Sequence, residues 1–187
     1  MTDVNFEELT TYAKAFAGLT PEMEALLISE GDTLRPEVPG ITENFYTVLL
    51  TIDKALPYLE GVVDSLKKSH MHWLHSLFDG PCDVEYTKAM YHVGDVHVKV
   101  KLPIEFMAGA MTLIQGEFNS VITRLYADEP EKMTQLLLAI NAVLGYSVMV
   151  MQESYQASTL SNELDKFLKV SGISRTLFNN LAKAYDL

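Results

Sequence analysis

The sequence predicts an all-α chain: one domain with a helical tail after about residue 157. Three observations carry this. Apolar residues recur three and four apart along most of the length, the spacing of a helix face. Helix-opening and helix-closing signals alternate between those runs. Only Val96–Lys101 alternates apolar and polar like a strand, and no other segment offers it a convincing partner.

The elements follow in order. Phe6, Leu9, Tyr12, Ala13 and Phe16 mark one face of a short first helix. Thr20-Pro21-Glu22 opens the second: the hydroxyl caps free N–H groups, proline suits the first position, and the acid suits the positive helix end. This helix is expected to run to about Leu34 and to stop at Pro36 and Pro39, with Gly40 adding a turn. A short helix is expected over Ile41–Thr51. A longer one spans about Gly61–Phe78, with Val62, Leu66, Trp73 and Leu77 as core candidates, and Asp79-Gly80-Pro81 closes it. The next begins near Asp83 and ends before Pro103. It includes Val96–Lys101, because valine costs at most ~0.7 kcal/mol relative to alanine in a helix. Pro103 opens a helix over about Ile104–Tyr126. Asp128-Glu129-Pro130 opens the last long one, which reaches Lys169 before Gly172 breaks it. Ile173–Tyr185 forms a final amphipathic helix.

Composition narrows the function classes. The 187 residues suffice for one domain with a sizeable core, and an apolar share of 48% excludes a disordered chain. Acids outnumber bases 25 to 14, a net charge of −11 that opposes nucleic-acid binding. Cys82 is the single cysteine, so an internal disulfide and a cysteine-based zinc site are excluded. The first ten residues lack a signal-peptide pattern. The most apolar run, Leu136–Met151, is interrupted by Asn141, Gly145 and Ser147 and reads as too short to span a membrane. The expectation is a soluble cytoplasmic protein.

The histidines are the first candidates for chemistry. All five, His70, His72, His75, His92 and His97, lie between positions 70 and 97. His72 and His75 share a helix face but lack an obvious third and fourth zinc ligand. His97 stands among large apolar residues near a helix end. On its own it reads more readily as a hydrogen-bonded core histidine than as a ligand.

A wider pattern alters that weighting. Phe45-Tyr46, then Trp73 and Leu77-Phe78-Asp79-Gly80, then Tyr86, then Gly94-x-Val96-His97 and Leu102-Pro103 stand in the order and spacing of a sensor globin. The chain resembles the haem domain of the globin-coupled sensors, with the protoglobins as close relatives, over residues 20–157. The resemblance implies a globin fold with an extra N-terminal helix within residues 1–19, a haem domain over 1–157, and a helical connector over 158–187. It implies haem b as cofactor, with His97 as the proximal iron ligand. Tyr46 matches the distal position whose hydroxyl donates to bound O2. Leu66 and Ser69 match positions over the distal face, and Phe45, Val93, Phe106 and Met107 complete the expected pocket. His70, on the face of Leu66 and Ser69, is weighed as a sixth iron ligand.

Two positions depart from the family pattern. Lys101 stands where glycine is frequent, four residues after the proximal histidine. Met107 stands in an aromatic pair's place, so a tyrosine that bonds near that histidine is missing. The resemblance further implies O2 or another diatomic gas as ligand, a homodimer through the last two long helices, and a relay to an output module or partner rather than enzymatic activity. The apolar surplus of Leu136–Met151 suits a dimer face, deep burial in a monomer being the other reading. The alternatives are a haem-free globin-like interaction domain and a protoglobin-like O2 carrier or NO-handling haem protein.

Overall fold

The computed structural model describes residues 4–185. Residues 1–3 and 186–187, the ends of the two expected segments, lie outside the described part. No strand occurs among the described residues. The helices are α1 (Phe6–Ala17), α2 (Pro21–Ser29), α3 (Gly31–Leu34), α4 (Val38–Leu49), α5 (Leu56–Leu59), α6 (Val63–Ser76), α7 (Val84–Lys99), α8 (Ile104–Leu125), α9 (Pro130–Ser171) and α10 (Arg175–Tyr185).

The capping signals act as their chemistry requires. Asn5, Thr20 and Asp83 each accept a hydrogen bond from a backbone N–H three residues on, opening α1, α2 and α7. Gly172, with φ at +72°, closes α9 in the left-handed conformation that glycine adopts without strain.

The prolines at 36 and 39 correct the expected boundary. They start elements rather than stop one. A 3-10 turn over Arg35–Glu37 has Pro36 in its first turn, and α4 has Pro39 in its own. A proline in the first turn forfeits no intrahelical bond, so the chain bends there and continues. The expected second helix instead breaks at Glu30. The short α5 has no counterpart in the sequence reading. Val62, expected in the core, is 42% exposed because it precedes the first turn of α6.

The core is organised around α9, which packs against α1, α2, α7 and α8. This accounts for the apolar surplus that suggested a partner copy. Leu136, Ile140, Leu144, Tyr146 and Val150 are fully buried within the chain, along one broad face of the helix. A narrower strip is left less covered: Leu138 is 56% exposed, and Gly145, Val148 and Met149 along it are partly buried. By length and composition α9 is apolar enough to cross a membrane, contrary to the reading of its central run. Half of that window is buried against the other helices, as in a core helix.

Of the glycines, Gly94 stands closest to a neighbouring element. A Cβ there would lie 2.3 Å from the Met151 carbonyl oxygen and 2.8 Å from Ser154 Cβ. The α7 backbone therefore rests directly on α9. Asp95 extends the contact by accepting hydrogen bonds from the hydroxyls of Ser154 and Ser158.

Candidate functional site

Between α4, α6, α7 and α8 lies a cavity of about 350 Å³, within the range of small-molecule and cofactor sites. Its walls are mainly apolar. Phe45 and Tyr46 come from α4, Leu66 and Trp73 from α6, Met90 and Val93 from α7, and Phe106 and Met111 from α8. α9 adds Met151. The helical period explains the convergence. On α7, Val93, Val96 and His97 lie three and four apart and share a face, and Val100 follows one turn later. The β-branched run that imitates a strand is thus one wall of the cavity.

All eight residues singled out from the sequence line this one cavity: Phe45, Tyr46, Leu66, Ser69, Val93, His97, Phe106 and Met107. The sequence reading did not select Trp73, Met90, Met111, Ile114 or Met151 for the site. Their signal was ordinary helical amphipathicity, which does not distinguish a cavity wall from a core. Ser69 is exposed at the rim and donates to the Ser65 carbonyl.

The polar groups occur on two sides. On one, the Tyr46 hydroxyl lies 2.7 Å from His70 Nδ1. Burial, and secondarily the charge of His97, depresses the His70 pKa to about 4, so its ring is neutral at physiological pH. Burial raises the Tyr46 pKa, so its hydroxyl keeps its proton. Two proton arrangements are chemically distinct. If Tyr46 donates, His70 carries its proton on Nε2 and is a donor. If His70 donates from Nδ1, its Nε2 lone pair is free to bind a metal. The tyrosine hydroxyl is therefore already engaged within the chain.

On the other side, His97 Nδ1 lies 3.0 Å from the Met107 sulfur. A thioether only accepts, so the His97 proton sits on Nδ1 and the Nε2 lone pair remains available. Burial lowers the His97 pKa, which keeps the ring neutral, as a metal ligand must be.

The end of α7 holds this histidine in place. Leu102 N–H donates to the His97 carbonyl and Lys101 N–H to the Val98 carbonyl. These are the two bonds of a Schellman closure. Lys101 takes the left-handed position, with φ at +57°, the one non-glycine among the described residues with positive φ. The lysine in place of glycine therefore keeps the glycine conformation, at a cost of roughly 1–3 kcal/mol.

Among the described residues no three His, Cys, Asp or Glu side chains cluster as a metal cage. A metal held here needs its other ligands from a cofactor. A haem meets this requirement. Its porphyrin supplies four nitrogens, its faces suit the apolar walls, and one neutral imidazole completes the set.

The Protoglobin family profile matches residues 6–161. Among solved structures, the globin domain of the Geobacter sulfurreducens globin-coupled sensor is 28% identical, over 78% of this chain and 96% of that one, with a TM-score of 0.72. The globin domain of E. coli DosC in a ferric form is 18% identical, over 78% of this chain and 99% of that one, with a TM-score of 0.63. No curated protein sequence matches. The expected fold, all-α and globin-like, is the fold of these domains.

Proposed function

The chain belongs to the Protoglobin family, and on that premise we propose that it is a haem-binding gas sensor with His97 as the iron ligand. One observation carries the reading. Residues selected from four separate helices converge on a single apolar cavity in which His97 presents a neutral ring with its Nε2 lone pair free. When bound, the haem, taken as haem b, would supply an iron able to take a diatomic gas, O2 foremost, with His97 as its protein ligand.

The chain's own residues then have distinct tasks. Phe45, Leu66, Val93 and Phe106 exclude water and hold the flat faces of the group. Tyr46 and His70 form one hydrogen-bonded pair on the side away from His97, and that pair presents a proton to a ligand carrying partial negative charge. Ser69, at the rim, is available to an entering ligand or water. Met107 orients His97.

The relay begins at α7. His97 lies three residues beyond Gly94, which rests on α9, and two beyond Asp95, which bonds to it. Movement of His97 therefore bears on α9 at residues 151–158, where the domain over 1–157 passes into the connector over 158–187. We assign that connector to an output module or partner protein. We assign a second copy of the chain to the strip along α9 that carries Leu138 and Val148, with α8 beside it. The net charge of −11 opposes nucleic-acid binding, and we assign the protein to the cytoplasm. In this reading the chain binds and signals and is not an enzyme.

The test is spectral. The purified protein, supplied with haem, is expected to show a Soret band that shifts with CO in the ferrous form. His97→Ala is expected to lose stoichiometric haem. Full haem content with an unchanged ferrous spectrum in that variant would overturn the ligand assignment.

A further inference from the structure

We propose that Met107 is a tuning residue for the iron: its thioether is the hydrogen-bond acceptor of His97 and sets how strongly that imidazole donates to the metal. The proposal rests on the reading that His97 ligates haem iron, and it deepens that reading.

The geometry comes first. Met107 Sδ stands 3.0 Å from His97 Nδ1, and Met107 is 4% exposed, so the acceptor is shielded from bulk water. The contact is built in by the fold. The left-handed turn at Lys101 and the bond from Leu102 N–H to the His97 carbonyl reverse the chain directly after α7. Pro103 then opens α8, whose first turn places Phe106 and Met107 beside the histidine.

The chemistry follows from the acceptor. A metal-bound histidine usually donates its second N–H to a carboxylate, a carbonyl or water, and this makes the ligating nitrogen more basic. A carboxylate pulls the proton strongly and gives the ring imidazolate character. A thioether is a weak acceptor without charge. It fixes the tautomer and the ring angle but withdraws little of the proton. His97 is thus given a defined tautomer and orientation, while its ring stays close to neutral imidazole. A weaker donor on this side stabilises ferric iron less and favours the ferrous state, the one that takes up O2 and CO.

Two measurements test this. The first is ¹⁵N NMR of the haem-free chain, reading which ring nitrogen of His97 is protonated. Nδ1 protonation is expected in the wild type, with loss of that preference in Met107→Leu, which keeps the side-chain bulk and removes the acceptor. The second is resonance Raman of the ferrous haem-loaded proteins. The iron–histidine stretching frequency is expected to rise in the order Met107→Leu, wild type, Met107→Gln, because the glutamine carbonyl accepts more strongly. The reduction potential is expected to fall in the same order. Equal frequencies in the three proteins, or a wild-type His97 protonated on Nε2, would overturn the proposal. Absence of a Soret band in the wild type would instead defeat the haem reading itself, and the two failures are distinguishable.

Discussion

Gly94→Ala tests whether the helix bearing His97 is positioned by direct backbone contact with α9. The added methyl would lie 2.3 Å from the Met151 carbonyl oxygen and 2.8 Å from Ser154 Cβ. Ordinary contact begins about 1 Å further out, and a carbonyl bonded within a helix cannot rotate away, so the helices must separate. A gap of roughly 0.5–1 Å forfeits a quarter to a half of the dispersion energy of each contact along the seam. Overpacking of this kind costs about 1–3 kcal/mol, and the rigid neighbour puts Gly94 at the upper end. Alanine returns about 1 kcal/mol of helix propensity, leaving a net loss of about 2 kcal/mol. For a chain of this size that corresponds to a fall in Tm of roughly 4–8 °C. Gly109→Ala is the internal control. It is also within a helix, but a Cβ there meets nothing within 4 Å. It is expected to gain about 1 kcal/mol from propensity alone. Thermal unfolding of both variants, followed by circular dichroism, decides the matter. If Gly94→Ala is as stable as wild type, or gains like Gly109→Ala, the direct contact between α7 and α9 is refuted.

The remaining predictions concern acid stability and assembly. His70 has its pKa depressed to about 4 in the fold, from 6.5, so between those values the unfolded chain binds a proton that the folded chain refuses. Stability of the haem-free chain is therefore complete above pH 6.5 and lost as pH falls towards 4. This one group contributes about 3 kcal/mol to the loss. Urea unfolding from pH 7 to pH 4 is expected to show a shallower decline in His70→Phe, and identical slopes would refute the assignment. Val148→Glu places a charge on the partly buried strip of α9, at the edge of the chain's own cover. It is expected to turn a dimer into a monomer with an unaltered Soret band, because an unpaired charge buried at each of two symmetric positions costs several kcal/mol. Light scattering on the haem-loaded protein reads the mass, and a wild-type mass near 20.9 kDa would remove the dimer.

How much of this was legible in the sequence depends on how far apart the interacting residues lie. Helix starts at Thr20 and Asp83 and the stop at Gly172 were readable because a cap involves groups three or four residues apart, whose chemistry is local. The cavity residues were readable through their family pattern, and their shared faces through the period of 3.6. Of the run Val96–Lys101, Val96–Lys99 is helix as expected from the lack of a partner strand and the small helix cost of valine, whereas Val100 and Lys101 form the closing turn, because the left-handed Lys101 ends the helix inside the run. The prolines at 36 and 39 were misplaced by one element, because a proline that follows one helix and a proline in the first turn of the next look alike until it is known whether the chain turns helical again at once.

Tertiary structure alone decided the pairings between distant residues. Tyr46 meets His70, and His97 meets Met107, because α4 lies beside α6 and the turn after α7 returns α8 to its end. Neither pairing has a local signature, since a hydrogen bond between helices depends on their crossing and rotation, which many side chains set together. Met107 was readable from the sequence as a donor lost; only its place beside Nδ1 made it an acceptor gained. The apolar surplus of α9 was equally ambiguous. A helix apolar on several faces satisfies either a partner or its own neighbours, and four neighbouring helices bury about half of this one's apolar stretch within a single chain.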